Sequence, residues 1–381
     1  MMNTFPPAPE AQVTLANWRT QPFNHWAFHH VREIVPSAEI PNDPSNVWTL
    51  NAAPRDIDLG TAVTGMANDA LVILHKGGLV HESYRNGMGP ADPHILMSVS
   101  KSMLGLVAGT CVARGELNEG DLITDHLPEL VGTAYAGATV RNALDMRVGL
   151  LFDEDYAATS GPIIAYRQAA NWNPVPAGTD PHDLRSFQQL LTKADGPHGG
   201  RFHYVSPVTD LLAWLLERAS GLRFADLVSQ RLLAPMGAER PGYITVDRKG
   251  GARGAGGMCL IARDLARVGQ LMLQGGSRDG AQIIPETWLT DIMNGGDRAA
   301  WDTGDFAEKF PGLPMSYRSK WYVHHGDDPL VHGLGIHGQY LFIDPKRQLS
   351  IAWFSSEDAP VSEVWMAHVF ASIQQIRAQF D

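Results

Sequence analysis

Cysteine, positive charge and long apolar runs are all scarce in this sequence of 381 residues, and each scarcity excludes a class of protein. The only cysteines, Cys111 and Cys259, stand among apolar residues without metal-type spacing, so we expect buried free thiols rather than a disulfide or a redox pair. Basic residues number 30 against 41 acidic ones, and the net charge of -11 argues against nucleic acid as a partner.

No apolar run is long enough to cross a bilayer, so we expect no membrane association. Residues 1–12 are polar and proline-rich and lack the hydrophobic core of a secretion signal, which predicts a cytoplasmic protein. The Walker loop, the HExxH helix and the GxSxG elbow are missing as well, so three common enzyme classes are disfavoured. We expect that neither a metal nor a cofactor is required.

The sequence does contain a serine and a lysine spaced for one face of a helix. Ser98 and Lys101 stand three positions apart at the head of an apolar run, so in a helix they would be neighbours one turn apart. A lysine desolvated in such a setting can lose its proton and serve as the base of a serine nucleophile. The pattern alone is weak, because a solvated lysine at a helix start has the same spacing.

Strand-like segments occur near both ends of the chain, and helical patterns lie between them. The strands and a closing helix are predicted at residues 71–75, 79–84, 319–323, 340–343, 349–354 and 362–380. We therefore predict an α/β (α+β) fold in which an antiparallel sheet flanked by helices is built from both termini. Residues 1–120 with 266–381 would form this sheet domain, and residues 121–265 an inserted, all-helical domain.

Two irregular segments keep aromatic residues, which distinguishes them from disordered chain. Residues 1–68 include Trp18 and Phe28 and predict an ordered arm that wraps around the fold. Residues 152–183 combine glycine and proline with aromatic side chains, and a loop of this length inside a compact domain favours a functional flap.

A tyrosine stands just before a well-marked helix in the middle of the chain. Ser206 is a natural N-cap, Pro207 suits the first turn, and Gly221 marks the end of the helix. Tyr204 precedes this start, a place where a packing aromatic is also common.

Residues 333–338 match the GxGxxG pattern of dinucleotide sites. The residues that follow predict a strand rather than the helix that such a site requires, so the pattern better fits an edge strand whose backbone approaches a ligand. One of its N–H groups would then be able to bind an oxyanion. His332 and His337 have no orienting acid nearby in sequence, and we interpret neither as a base.

Several segments of the chain together are more specific than any single motif. They are VPSA at 35–38, LMSVSKS at 96–102, EDY at 154–156, ARDLARVG at 262–269 and GIHGQ at 335–339. From residue 25 to the last helix, the chain resembles the serine β-lactamase-like hydrolases, which include class C β-lactamases, DD-peptidases and esterases. Within that family it is most similar to the amidases that act on nylon oligomers.

The resemblance implies a role for each matching residue. Ser98 would be the acylated nucleophile, Lys101 its base, and Tyr204 the proton shuttle to the leaving group. The backbone N–H of Ile336 would pair with that of Ser98 as the oxyanion hole, and Tyr156 would close over the substrate from the flap.

Further positions are assigned to substrate binding by the same resemblance. Trp172 belongs to the flap, and His337 follows Ile336. Two positions depart from the nylon-oligomer amidases: Arg167 replaces an acidic residue and Ala255 a polar one. If Arg167 faces the pocket, a carboxylate or a neutral group would be favoured over an ammonium, and if it faces solvent the change would have no such effect.

The expected activity is hydrolysis of small linear amides or esters, with such a small molecule as the partner and a homodimer as a possible assembly. A carboxylesterase without amidase activity is one alternative, and a non-catalytic ligand-binding protein on the same fold is another. A β-lactamase is less favoured, because the family's Lys-Thr-Gly motif falls on Gly333-Leu334-Gly335, where the lysine is absent.

Overall fold

The computed structural model describes residues 2, 4–61, 63, 65 and 67–380. Its strands are β1 (Ser37–Ile40), β2 (Asn51–Ala52), β3 (Asn68–His75), β4 (Gly78–Tyr84), β5 (His94–Ile95), β6 (Gly242–Thr245), β7 (Met258–Leu260), β8 (Ser277–Arg278), β9 (Ala281–Gln282), β10 (Met315–Arg318), β11 (Trp321–His324), β12 (Leu330–Gly335), β13 (Gln339–Asp344) and β14 (Leu349–Ser355). Its helices are α1 (Asn24–Ala27), α2 (Val99–Ala113), α3 (Ile123–His126), α4 (Val140–Leu144), α5 (Pro162–Ala169), α6 (Leu184–Gln188), α7 (Ser206–Ser220), α8 (Phe224–Val228), α9 (Ala234–Met236), α10 (Ala262–Leu273), α11 (Glu286–Asn294), α12 (Arg298–Asp302) and α13 (Glu363–Arg377).

An eight-stranded sheet in the order β10-β11-β12-β13-β14-β3-β4-β2 forms the largest layer. Strands from the two ends of the chain meet where β14 pairs antiparallel with β3, which confirms a sheet built from both termini. The strands predicted at 71–75 and 79–84 are present as β3 and β4, which pair antiparallel. Neighbouring strands are antiparallel except at one edge, where the two-residue β2 runs parallel to β4.

Helices cover both faces of this sheet because its central strands are apolar on both sides. Along β3, Leu71 and Ile73 pack in one apolar cluster with Ile373 of α13. The alternate residues Val72 and Leu74 pack on the opposite face, in the cluster that contains the buried residues of α2 and α10. Each such side chain contributes about 1.5–3 kcal/mol relative to its exposed state, so the sheet is a rigid support.

A second, four-stranded sheet has the order β1-β6-β7-β5. Strands β6 and β7 belong to residues 121–265, so the prediction that this segment is all-helical was wrong. Their four and three residues are too short for a period-2 pattern to be read from the sequence. This sheet matters for the site, because Leu96, directly after β5, donates its N–H to the Met258 carbonyl at 2.8 Å. The division of the chain at residues 120 and 265 stays a prediction.

Three local expectations need correction. The flap contains a helix, α5, because Pro162 starts it at the favoured first-turn position. Val205, not Ser206, is the N-cap of α7, and Ser206 is the first residue of the helix. No capping hydroxyl is needed for the Ser206 N–H, because the Glu154 carboxylate accepts it at 2.8 Å. Strand β12, predicted at a sheet edge, lies between β11 and β13, and a strand follows it as predicted.

The N-terminal arm is ordered where the structure describes it. Trp18 and Phe28 are fully buried and contact each other edge to face at 6.1 Å. Residues 1, 3, 62, 64 and 66 of the predicted arm lie outside the described residues. Cys111 and Cys259 are buried and free, as expected. Among the helices described, none combines the length and apolarity needed to cross a bilayer.

Candidate active site

The serine of the Ser-x-x-Lys pattern stands at a sharp turn between β5 and α2. Met97 has φ +44, a conformation that costs free energy for a residue with a side chain and is concentrated at functional sites. Ser98 follows as the N-cap of α2, and the Lys101 N–H donates to its carbonyl at 3.0 Å. The turn therefore places the Ser98 hydroxyl at the start of a buried helix.

Lys101 is 1% exposed and lies directly beside this hydroxyl. Its Nζ donates to Ser98 Oγ at 2.7 Å and to the Ala255 carbonyl at 2.7 Å. Burial lowers the pKa of the Lys101 ammonium to about 7, although the nearby Glu154 carboxylate acts in the opposite direction. A large fraction of the lysine is therefore neutral near pH 7, the form that can accept the serine proton.

Tyr204 brings a phenol to the same place from the segment that enters α7. Lys101 Nζ lies 4.8 Å from the centre of its ring. Burial raises the pKa of Tyr204 far above its usual value, and the Ser98 hydroxyl partly opposes that rise. The tyrosine is therefore protonated at neutral pH and is able to donate.

An aspartate from the last third of the chain fixes the Tyr204 backbone. Asp305 Oδ2 accepts the Tyr204 N–H at 2.8 Å and contacts His203 Nδ1 at 2.8 Å. Sequence reasoning missed Asp305, because it is 101 positions from Tyr204 and lies in no recognisable motif.

Two backbone amides without acceptors adjoin the serine. Neither the Ser98 N–H nor the Ile336 N–H has a hydrogen-bond acceptor in the part of the chain that the structure describes. The end of β12 approaches this point so closely that a Cβ on Gly335 would lie 3.0 Å from the Ser98 amide nitrogen. A pair of free N–H groups beside a nucleophile is able to bind an oxyanion.

We expect Gly335→Ala to lower kcat by about 100-fold, the effect of losing one oxyanion donor, because its methyl group would also meet the Leu96 carbonyl oxygen at 2.7 Å. Ester hydrolysis and thermal unfolding measure the two consequences separately. Gly132→Ala is the matched control, since its added Cβ would meet nothing within 4 Å. Equal activity of the two variants would contradict this role of the β12 approach.

Two cavities adjoin Ser98, and Tyr156 and Ile336 also line both of them. The first has a volume of about 390 Å³ and is bordered by charged groups, namely Arg19, Glu154, Arg167 and Arg253. The second has a volume of about 410 Å³ and is bordered mainly by apolar side chains, namely Tyr204, Phe306, Phe310, Tyr322, Leu334, Val361 and Met366. Lys309 lies at its border as well.

The structure brings most of the predicted substrate-binding residues to these cavities. Tyr156 borders both, and Trp172, Arg167 and Ala255 border the first. Arg167 is 9% exposed and faces the cavity rather than solvent. Ala255 also acts through its backbone, because its carbonyl holds Lys101 and its N–H donates to Asp210 Oδ1 at 2.8 Å.

His337 is the exception. Its ring packs edge to face on Phe28 at 5.2 Å, and Nδ1 lies 2.7 Å from the Glu357 carbonyl oxygen. It borders neither cavity beside Ser98, and its part in substrate binding stays a prediction. Burial lowers its pKa to about 4, and the neutral ring instead supports the turn after β12, where His337 itself has φ +60.

Sequence reasoning also missed Arg19 and Arg253. Arg19 arrives from the N-terminal arm, which is held to the flap where Trp18 Nε1 donates to the Trp172 carbonyl at 3.2 Å. Arg253 stands in a glycine-rich segment and bonds with Asp210 of α7. The aromatic residues of the arm indicated that it packs on the fold, but no pattern indicated that it reaches the cleft.

Comparison with known proteins identifies relatives of this chain. The family described as Beta-lactamase matches residues 57–369. The 6-aminohexanoate-dimer hydrolase of Paenarthrobacter ureafaciens is 36% identical over 368 residues, which cover 95% of this chain and 92% of that protein. A candidate 6-aminohexanoate-dimer hydrolase from Bacillus anthracis has a TM-score of 0.87 and 26% identity, with 98% of this chain and 99% of that one covered. A D-stereospecific amidohydrolase from Streptomyces sp. shares the fold, with a TM-score of 0.61, 17% identity and coverage of 82% and 96%.

Proposed function

Because the chain belongs to the β-lactamase family and is a serine hydrolase related to 6-aminohexanoate-dimer hydrolase, we propose that it cleaves small linear amides or esters through an acyl-enzyme on Ser98. The observation that carries the proposal is the buried contact of 2.7 Å between Lys101 Nζ and Ser98 Oγ. A lysine with a pKa of about 7 at this place is suited to be a base.

In the proposed reaction, neutral Lys101 accepts the Ser98 proton while Oγ forms a bond to the substrate carbonyl carbon. The carbonyl oxygen gains negative charge and binds the N–H groups of Ser98 and Ile336. Tyr204 donates a proton to the departing nitrogen or oxygen as its bond to carbon breaks, and recovers one from the Lys101 ammonium. A water molecule then attacks the acyl-enzyme with the same groups acting in reverse order.

A linear amide is supported as substrate by the 36% identity to a protein named for a 6-aminohexanoate dimer. Esters are expected to react faster, because an alkoxide needs less assistance to leave than an amine. A carboxylesterase without amidase activity remains the alternative.

We expect rapid mixing with p-nitrophenyl butyrate to release one equivalent of nitrophenol in a burst, because acylation precedes a slower hydrolysis of the acyl-enzyme. The matched anilide, p-nitrobutyranilide, should turn over more slowly but measurably. Hydrolysis of the ester alone would favour the carboxylesterase. Absence of both burst and turnover would contradict the proposal.

A further inference from the structure

The first cavity beside Ser98 holds more positive than negative charge. Three guanidinium groups, those of Arg19, Arg167 and Arg253, face two carboxylates, those of Glu154 and Asp210. Asp210 is fully used, because it bonds with Arg253 and also accepts the Tyr166 hydroxyl and the Ala255 N–H. The charge of Arg253 is therefore balanced inside the protein.

The other two guanidiniums have only neutral partners. Arg19 Nη2 donates to Asn173 Oδ1 at 2.5 Å, and Arg167 Nη2 donates to the Tyr156 carbonyl at 3.2 Å. No ion pair of either arginine is present within the described residues. Two cations side by side in a poorly solvated cavity cost free energy, and a bound anion would offset that cost.

The charged groups that line the first cavity also affect one another. Burial together with the charges of Arg167 and Arg253 lowers the pKa of Arg19 to about 9, so these groups repel one another. The Glu154 carboxylate acts on Arg167 electrostatically, but it already accepts the Ser206 N–H at 2.8 Å and the Tyr156 hydroxyl at 3.2 Å. Its hydrogen bonds hold it in place and leave the donors of both arginines available.

The two cavities differ in which half of a substrate they would receive. Tyr204, the proposed donor to the leaving group, borders the second cavity and not the first. The leaving group therefore belongs in the apolar second cavity, and the acyl group in the first, with the arginines. A plain alkyl acyl chain would leave both guanidinium charges uncompensated, and an ammonium on that chain would be repelled.

We propose that the preferred substrates are monoamides or monoesters of short linear dicarboxylic acids, whose free carboxylate binds Arg19 and Arg167 while an apolar amine or alcohol occupies the second cavity. This inference rests on the proposed function, since it assigns the acyl half of the same reaction. Water replaces the amine or alcohol on the acyl carbon, so the products are the dicarboxylic acid and the free amine or alcohol.

The test compares three p-nitrophenyl esters of equal chain length that end in a carboxylate, a methyl group or an ammonium: the adipate monoester, the hexanoate and the 6-aminohexanoate. We expect kcat/KM to be highest for the adipate ester and to exceed that of the ammonium ester by at least about tenfold, the scale of a charge-assisted hydrogen bond. Most of the difference should lie in KM.

A second experiment reverses the charge at Arg167. Arg167→Glu should invert the order, so that the ammonium ester becomes the better of the two charged substrates. Arg223→Glu is the matched control, because exposed Arg223 follows the far end of α7, a helix of 15 residues that spans roughly 22 Å from the site. Competitive inhibition of the wild-type enzyme by adipate, compared with hexanoate, needs no variant and should favour adipate.

The results distinguish failure of the proposed hydrolase activity from failure of the dicarboxylate proposal. If the wild-type protein shows neither a burst nor turnover with any of the three esters, the proposed function fails. If all three react at similar kcat/KM and adipate inhibits no better than hexanoate, the hydrolase stands and the dicarboxylate proposal is overturned. An unchanged order in Arg167→Glu, in a variant that folds, would overturn it as well.

Discussion

Ser98→Ala is expected to lower kcat/KM for any accepted ester by at least about 10,000-fold, because a residue that forms the covalent intermediate leaves only binding and oxyanion stabilisation when it is lost. The loss should appear in kcat, with the burst of nitrophenol abolished. Stability should change little, because the substitution removes one small hydroxyl, which accepts a hydrogen bond from Lys101.

Two other serines provide controls for this result. Ser102 lies one turn further along α2 and donates to the Lys320 carbonyl at 2.9 Å, so Ser102→Ala tests the effect of losing a buried hydroxyl from the same helix. Ser206 also borders the first cavity and offers a competing hydroxyl there. Persistence of the burst in Ser98→Ala, or its loss in Ser206→Ala alone, would contradict the assignment.

Lys101→Met is expected to lower kcat by about 1,000-fold, within the range for a general base. In the wild-type protein the rate should rise with pH through about 7, because burial sets the pKa of Lys101 there and only the neutral amine accepts a proton. The variant should lose this dependence. The pH profile of kcat/KM measures both effects.

Lys101→Met should lower activity without lowering stability. The unfolded chain holds the Lys101 proton up to its usual pKa of 10.5, whereas the folded chain releases it above about 7. The free energy of unfolding therefore rises with pH between these values, by about 1.4 kcal/mol per pH unit. Near pH 7 it is lower than that of a protein with an uncharged residue at position 101. Replacement by methionine removes that cost, so the melting temperature at pH 7 should not fall.

Lys320→Met is the matched control for Lys101→Met. Lys320 is also fully buried, donates to the Ala143 carbonyl at 2.7 Å, and has a pKa that burial lowers well below its usual value. It borders neither cavity beside Ser98. The rise of activity with pH should persist in Lys320→Met, and its loss in both variants would mean that the pH dependence does not belong to Lys101.

The sequence predicted those parts of the site that depend on short spacing. Ser98 and Lys101 are three positions apart, and a helix start was enough to make them neighbours. Sheet formation from both ends was also predictable, because long apolar strands such as β3 and β14 must be buried on both faces. Tyr204 and Ile336 were placed by resemblance to a family rather than by local pattern.

The remaining parts depend on contacts between residues far apart in sequence. The Arg19 side chain reaches the cleft because Trp18 packs on Trp172, 154 positions away. Strands β6 and β7 were missed because short strands carry too few residues for a period to appear. His337 follows Ile336, which borders the cleft, but the His337 ring packs on Phe28, a contact that no local pattern indicated.

The most direct test of the central claim is the intact mass of the protein after reaction with a fluorophosphonate probe, followed by peptide mapping. We predict one adduct per chain, located on Ser98, absent in Ser98→Ala and formed far more slowly in Lys101→Met. An adduct on another residue, or one that forms at an unchanged rate in Ser98→Ala, would contradict the account.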